Sequence, residues 1–184
     1  MMKPHFALMA NYNAVMNQKI CDAIASLAED VLWQDNKAFF GSILGTLNHL
    51  MVGDLIWLRR FNNHPNHSHN IEANRFKALD SLASFPLPTA LTQTLYRTKE
   101  NFTRNRQALD QIIIQFIDET VESDYSTTLT YTNTKGDVFN KPFAMLLQHL
   151  FNHQTHHRGQ VTTLLNQIDI DIGETDLLML IADI

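Results

Sequence analysis

Apolar residues recur every three or four positions in four long stretches of the chain, and this spacing restricts the fold more than any other feature. The stretches are 5–27, 37–61, about 89–119 and 142–167. Such a repeat places apolar side chains on one face of an α-helix, whereas a half-buried strand alternates apolar and polar residues. Four helices in 184 residues can share one core, so the sequence predicts an all-α fold built as a helical bundle.

The second stretch, 37–61, is apolar on almost every side, which predicts a helix buried more deeply than the first. His49 lies near its middle, and Gly45 and Gly53 lie one turn before and one turn after it. Glycine within a helix costs about 1 kcal/mol relative to alanine. We therefore expect these glycines to admit a closely packed helix or to leave room beside the imidazole.

Three other segments have a different character. Residues 125–142 combine β-branched and aromatic residues with a turn signal, which predicts a small β-hairpin before the last helix. The tail from 168 onward is expected to pack back as an extended segment and a short final helix. Residues 62–70 have a loop composition. We expect the histidines of that loop to be solvated, since loop ligands need rigid support that the sequence does not show: His64, His67 and His69.

The composition argues against several functional classes. The formal net charge of −5 is atypical of a dedicated nucleic-acid binder, and no apolar run reaches the ~18 residues of a membrane span. Cys21 is the single cysteine and is expected to be a small buried residue, which fits a reducing compartment. Met1 to Ala10 does not resemble a signal peptide. We expect one cytoplasmic domain, 1–184, with no nucleic-acid or membrane partner.

Four of the nine histidines lie in the last predicted helix, and a helical wheel divides them into two pairs. His157 and His153 point roughly 30° and 70° away from the apolar direction of this helix. His149 and His156 point roughly 110° and 130° away, at the edge of the core or outside it. The apolar direction is defined by Phe143, Leu146, Leu147, Leu150, Val161, Leu164 and Leu165.

The inward pair, His153 and His157, has the spacing of a metal-binding pair, because residues four apart lie on one face of a helix. A third ligand is required, and His49 is the only histidine in the interior of another predicted helix. Bundles build metal sites from side chains on facing helices. The alternative is that carbonyls or carboxylates satisfy the pair and that His49 is a lone buried histidine. Spacing alone leaves both interpretations open.

Three stretches of the chain resemble the DinB/YfiT-like metalloenzymes, a bacterial family of DNA-damage-inducible proteins. They are Tyr-Asn-Ala-Val-Met-Asn at 12–17, Leu-Asn-His-Leu-Met-Val-Gly-Asp-Leu-Ile-Trp-Leu-Arg-Arg at 47–60 and His-Gln-Thr-His-His-Arg-Gly-Gln-Val-Thr at 153–162. The family more often has an aromatic residue at the position of Val15. The resemblance covers nearly the whole chain.

The resemblance implies a four-helix bundle with up-down-down-up order, often a homodimer, that holds a divalent nickel or zinc ion on three histidines. Those histidines match His49, His153 and His157. By the same resemblance, Gly159 is expected to allow close packing, and Gln160 is expected to hydrogen-bond a ligand or a metal-bound water.

A metal on three histidines keeps an open coordination position, which is typical of catalytic or ligand-binding sites. Relatives in the wider superfamily are thiol-dependent S-transferases and isomerases, so the resemblance implies a metal-dependent transferase that uses a low-molecular-weight thiol. The alternatives are a non-enzymatic metal-binding stress protein with a functional dimer surface, or a metal-dependent hydrolase. The sequence identifies no catalytic acid or base. Asp54 and Arg106 are expected on solvated helix faces, and the alternative for Asp54 is a carboxylate that supports a ligand. Tyr12 and Trp57 are expected in the core, and the alternative for both is the wall of a pocket.

Overall fold

The structure is a computed structural model that describes residues 1–65, 67, 75–133 and 135–183. Its main elements are α-helices, supplemented by short 3₁₀ helices at Lys77–Ser84, Glu122–Ser126 and Leu177–Leu180. The α-helices are α1 (Lys3–Ala25), α2 (Glu29–Trp33), α3 (Ile43–Phe61), α4 (Lys99–Glu119) and α5 (Phe143–Asn166). The prediction of a mainly helical fold is confirmed.

The long helices α1, α3, α4 and α5 surround one apolar core. Helix α1 contacts α4 and α5, and α3 contacts α5 and, less extensively, α4. Each contributes fully buried side chains to the same cluster, for example Phe6, Leu50, Phe116 and Phe151. Removing this apolar surface from water is the main stabilising contribution to the fold. Among the described residues, no helix combines the length and the apolar character that a membrane span requires.

The predicted β-hairpin is confirmed and lies directly before α5. Strand β1 (Thr128–Thr132) pairs antiparallel with β2 (Val138–Pro142), so that Thr128 lies opposite Pro142. Leu129 is fully buried and anchors the hairpin to the core. Because β2 ends where α5 begins, the hairpin fixes the position of the first turn of that helix.

Helix α3 begins at Ile43, so the predicted start at residue 37 is wrong. Ser42 is the N-cap, and its side chain accepts a hydrogen bond from the backbone N–H of Gly45. The preceding loop contains Lys37 and Gly41 in left-handed backbone conformations, which a helix does not allow. The loop folds back so closely that a Cβ at Gly45 would lie 2.2 Å from the carbonyl oxygen of Phe40. Gly45 therefore admits the loop rather than a neighbouring helix.

Helix α4 begins at Lys99, so the predicted start near residue 89 is also wrong. Thr98 caps the helix by accepting a hydrogen bond from Asn101 N–H. The segment before it is not helical, and Asn48 of α3 holds part of its backbone. The Asn48 side-chain oxygen accepts from the N–H groups of Leu95 and Tyr96, each at 2.8 Å. The Asn48 amide also donates to the Tyr96 carbonyl at 2.9 Å.

Two charged residues that were expected on solvated helix faces are buried, which corrects that expectation. Asp54 and Arg106 are 0% and 2% exposed, and their side chains form an ion pair at 2.7 Å. Arg106 also pairs with Asp110 at 2.7 Å. A buried charge is tolerated when a partner of opposite charge satisfies it, and the sequence does not reveal which partners meet.

Two histidines of the predicted polar loop 62–70 are not solvated as expected. His64 and His67 are buried, and both rings pack against Phe76. The Nε2 atom of His64 lies 2.6 Å from Thr127 Oγ1. His69 lies outside the described residues. The His64 ring therefore lies among aromatic rings and beside a hydroxyl group.

The tail packs back across the helices as predicted. Ile168, Ile170 and Ile172 lie against the core in an extended segment, and Leu177–Leu180 forms a single short 3₁₀ helix. The hydroxyl of Tyr12 in α1 donates to the carbonyl oxygen of Thr175 at 2.6 Å. Cys21 is buried as expected, and burial raises the pKa of its thiol to about 11.

Candidate metal centre

Three histidines meet where α3 packs against α5. His49 comes from α3, and His153 and His157 come from successive turns of α5. One ring nitrogen of each lies within 4.8 Å of the others, so the group can hold a metal ion. The Nε2 atoms of His49 and His153 are 3.0 Å apart. Two nitrogens that each bind one ion at ~2.1 Å adopt a similar separation, so the donor set fits a divalent transition metal.

Hydrogen bonds orient two of the three imidazoles. The Nδ1–H of His49 donates to the carbonyl oxygen of Leu91 at 3.0 Å, because a carbonyl can only accept. His157 Nδ1 lies 2.7 Å from the side-chain oxygen of Gln160 and donates to it in the same way. Both Nε2 atoms are then unprotonated and can bind a metal. The predicted hydrogen bond between Gln160 and a candidate ligand is therefore present, with His157 as the donor.

His153 is held by packing instead. Its Nδ1 atom is buried and has no hydrogen-bond partner within the described part of the chain. A Cβ at Gly53 would lie 2.8 Å from His153 Cε1, so this glycine admits a side chain of the neighbouring helix α5, which was one of the two expectations. The ring of Phe40 stacks on His49 with 3.8 Å between centroids and meets the edge of His157 at 5.5 Å.

The surroundings favour the neutral form of all three imidazoles, which is the form that binds metal. Burial lowers the pKa of His49, His153 and His157, because the charged imidazolium loses hydration. The pKa of His153 falls to about 3, since the neighbouring histidines add electrostatic repulsion to the effect of burial.

The other two histidines of α5 are exposed, as the helical wheel predicts. His156 points away from the core, and His149 lies at its edge, with its ring 5.1 Å from that of Trp57. Neither belongs to the three-histidine group. His149 nevertheless borders the same cleft as His153.

A cleft of about 300 Å³ opens beside the histidines. Arg60 lies on its wall, with its guanidinium carbon 4.7 Å from the ring centroid of Trp57 and 4.9 Å from that of Tyr131. A second cavity of about 210 Å³ shares Arg60, Ile56 and Asn133 with the first. The cleft thus combines a metal-binding group with a fixed cation and aromatic walls. Its lining comprises His49, Gly53, Ile56, Trp57, Arg60, Leu91, Asn133, His149 and His153.

Sequence reasoning missed several residues of this site. Phe40 and Leu91 were assigned to helices but reach the histidines from loops, and no local pattern reveals that. Arg60 belongs to the 47–60 stretch, yet a lone arginine near a helix end carries no specific signal. Trp57, which was expected in the core, is half-buried and lines the cleft. Gly159 has no described atom near its missing Cβ, so close packing does not explain it.

The chain is similar in sequence to known proteins. A family model described as DinB family matches residues 1–180. The chain is 26% identical over 168 residues to Protein DinB of Bacillus subtilis (strain 168). The aligned stretch covers 90% of this chain and 87% of that protein. No solved structure gives a significant match.

Proposed function

Because the chain belongs to the DinB family, we propose that it is a metal-dependent enzyme that transfers a low-molecular-weight thiol to a small electrophilic substrate. The observation that supports this proposal most directly is the three-histidine group at the wall of a substrate-sized cleft. A structural metal site is closed by protein ligands, whereas a catalytic site keeps a position open towards its substrate.

The metal in this proposal is nickel or zinc, held by His49, His153 and His157. Imidazole nitrogens suit both metals, and three neutral ligands leave the charge of the ion uncompensated. When bound, such an ion supplies Lewis acidity that favours a thiolate over a thiol near neutral pH. Leu91 and Gln160 orient two of the imidazoles through their Nδ1–H groups.

Arg60 is proposed to select an anionic thiol. Its stacking on Trp57 and Tyr131 holds a positive charge at the cleft wall, where it can pair with a carboxylate of the thiol. In the transfer, the thiol loses its proton to solvent or to a base. Its sulfur then forms a bond to carbon as the leaving group departs with the electrons of the broken bond.

The finer architecture is also part of the proposal. The family resemblance supports an up-down-down-up order for the four long helices, a single domain over 1–184 and a cytoplasmic homodimer. The contacts of α1 with α4 and of α3 with α5 are compatible with that order. Sedimentation analysis of the purified protein tests the dimer, and a monomer at micromolar concentration would contradict it.

Metal analysis of purified variants tests the site. We expect about one equivalent of divalent metal in the wild type and a loss of at least about tenfold in affinity for His49→Ala and His153→Ala. His5→Ala is the matched control, because His5 is exposed and bonds only to Gln148 in the described structure. Metal retained at wild-type affinity by both site variants would refute the three-histidine assignment.

Turnover assays test the reaction separately. Glutathione, bacillithiol and mycothiol are each offered with monochlorobimane, whose chloride is displaced when the sulfur–carbon bond forms. We expect conjugate formation that depends on metal and is lost in His153→Ala, and a raised KM for the thiol in Arg60→Met. A metal-loaded protein that forms no conjugate with any of the three thiols would favour a non-enzymatic role.

A further inference from the structure

A third cavity, separate from the two near Arg60, lies on the opposite side of α5 from the histidines. It encloses about 140 Å³ between α1, α5 and the C-terminal tail. The bond from the Tyr12 hydroxyl to the Thr175 carbonyl oxygen fixes the tail over it. None of the three candidate metal ligands contributes to its wall. The lining residues are Tyr12, Met16, Ile20, Thr155, Arg158, Gly159, Thr162, Ile172 and Thr175.

Arg158 brings a buried positive charge to this cavity. The residue is only 5% exposed, and its Nη1 donates to neutral side-chain oxygens of Asn13, of Gln154 at 3.3 Å and of Asn17 at 3.4 Å. Its Nη2 has a single long contact, 3.4 Å, with Thr155 Oγ1. In the described part of the chain, Nε–H has no hydrogen-bond acceptor. The Nε–Nη2 edge, which binds carboxylates in a bidentate manner, is therefore largely unused.

The buried carboxylates nearby are already bound to other groups. Asp54 and Asp110 both pair with Arg106, and Asp110 also accepts from the amides of Asn13 and Asn17. Across the described residues, no carboxylate oxygen lies within 4 Å of the Arg158 guanidinium. A buried cation without a direct anionic partner is unfavourable, so a ligand that supplies an anion would stabilise it.

Gly159 is exposed and lies at the rim of this cavity. It lies in the interior of α5, where glycine costs about 1 kcal/mol relative to alanine. A Cβ at this position would meet no described atom within 4 Å, so no contact within the chain requires the glycine. The space beside Gly159 is open, and a large side chain at this rim position would project over the cavity.

We propose that this cavity binds a small monocarboxylate with a short apolar body. The carboxylate pairs with the Nε–Nη2 edge of Arg158, and the body packs against Met16, Ile20 and Ile172. The apolar wall favours such a molecule over inorganic phosphate, which has no apolar part. A closed cavity of about 150 Å³ accommodates benzene. This cavity of about 140 Å³ is partly open, so it can hold the ring of a benzoate while the carboxylate group lies beside Arg158.

Calorimetric titration of the full-length protein with sodium benzoate tests this site. We expect saturable binding with a Kd on the order of 1 mM, and binding of the neutral analogue benzyl alcohol about tenfold weaker or worse. Gly159→Leu places a bulky side chain at the rim of the cavity and should weaken benzoate binding by at least about tenfold. Gly159→Ala is the matched control, because it gives a similar gain in helix propensity and leaves the cavity open.

His153→Ala separates this site from the metal centre, where a carboxylate can also bind. We expect benzoate affinity in this variant to match the wild type, whether or not the proposed enzymatic function holds. Retained metal binding and melting temperature show that Gly159→Leu is folded. Benzoate binding that survives in Gly159→Leu, disappears in His153→Ala, or never saturates up to about 10 mM would each overturn the proposal.

Discussion

At the scale of single residues, the candidate metal centre depends on which nitrogen each imidazole presents. The Nδ1–H groups of His49 and His157 are occupied by Leu91 and Gln160, so both rings offer Nε2 to the centre. His153 has no such hydrogen bond, and its orientation depends on the space that Gly53 leaves. Each candidate ligand is thus oriented by a different neighbour.

Gly53→Ala tests the packing of His153. The new methyl group would lie 2.8 Å from His153 Cε1, so the ring must move and the metal affinity should fall roughly 10- to 100-fold. Gly159→Ala is the control, since its methyl group meets no described atom within 4 Å. Competition titration with a chelating dye measures both. Equal affinities in the two variants would show that the ring tolerates the crowding.

Gln160→Leu removes the acceptor that orients His157. We expect metal affinity to fall about tenfold, while Gln160→Glu, which keeps an acceptor oxygen, should retain most of it. Gln148→Leu is the control, because Gln148 bonds the exposed His5 instead. The same dye titration measures all three, and unchanged affinity in Gln160→Leu would exclude this orienting role.

At the scale of elements, Asn48 of α3 holds the non-helical segment that precedes α4. Asn48 uses its side chain to bind the backbone of Leu95 and Tyr96 and, through a 2.8 Å bond, the carbonyl of Leu44 in its own helix. These hydrogen bonds keep the residues before Thr98 out of α4. They also place Leu91, four residues before Leu95, where its carbonyl can accept from His49.

Asn48→Ala should destabilise the fold by about 3 kcal/mol, because it leaves the N–H groups of Leu95 and Tyr96 without their acceptor. Urea denaturation followed by circular dichroism measures the change. Asn105→Ala is the control, since Asn105 makes a single bond to the Asn101 carbonyl one turn earlier. A decrease in the free energy of unfolding below about 1 kcal/mol for Asn48→Ala would mean that water replaces the hydrogen bonds of Asn48.

At the scale of the whole molecule, a buried polar network joins the four long helices. Arg106 of α4 pairs with Asp54 of α3 and with Asp110 of its own helix. Asn13 and Asn17 of α1 donate to Asp110 and accept from Arg158 of α5, which carries the network to the helix of the candidate ligands. Burial lowers the pKa of Arg158 to about 10.

Arg106→Met should destabilise the fold by about 3–5 kcal/mol, because it strands Asp54 and Asp110 as unpaired buried carboxylates. Burial raises the pKa of Asp110, and Arg106 opposes that rise, so the variant should have a still higher pKa there. A carboxyl group whose pKa is higher in the folded than in the unfolded state stabilises the fold at low pH. This contribution to the free energy of unfolding is lost as pH rises. The deficit should therefore shrink as pH falls from 7 towards 4.

Urea denaturation across that pH range measures the effect. Arg104→Met is the control, since Arg104 is exposed and bonds to the side-chain oxygen of Asn101 one turn earlier. We expect a change of less than about 0.5 kcal/mol in this control at every pH. A deficit in Arg106→Met that stays constant with pH would contradict the stranded-carboxylate explanation.

The sequence by itself determined the features that follow from local geometry. A period of three to four residues identified the long helices, β-branched residues around a turn identified the hairpin, and the wheel separated His153 and His157 from their exposed neighbours. These inferences hold because the helical repeat of 3.6 residues fixes side-chain directions before any tertiary contact forms. The predicted helix starts were less accurate. The start of α4 depends on Asn48 of another helix, and the start of α3 depends on the contact between Gly45 and the preceding loop.

Only the tertiary structure decided which distant groups meet. It brought His49 to the α5 pair, placed Phe40 and Leu91 against His49, and buried Arg106 between two carboxylates that the sequence separates widely. A residue type shows which partners a side chain requires, but not which ones the packed helices supply. The free energy of a buried charge or imidazole depends on those partners, and they exist only once α3, α4 and α5 have packed together.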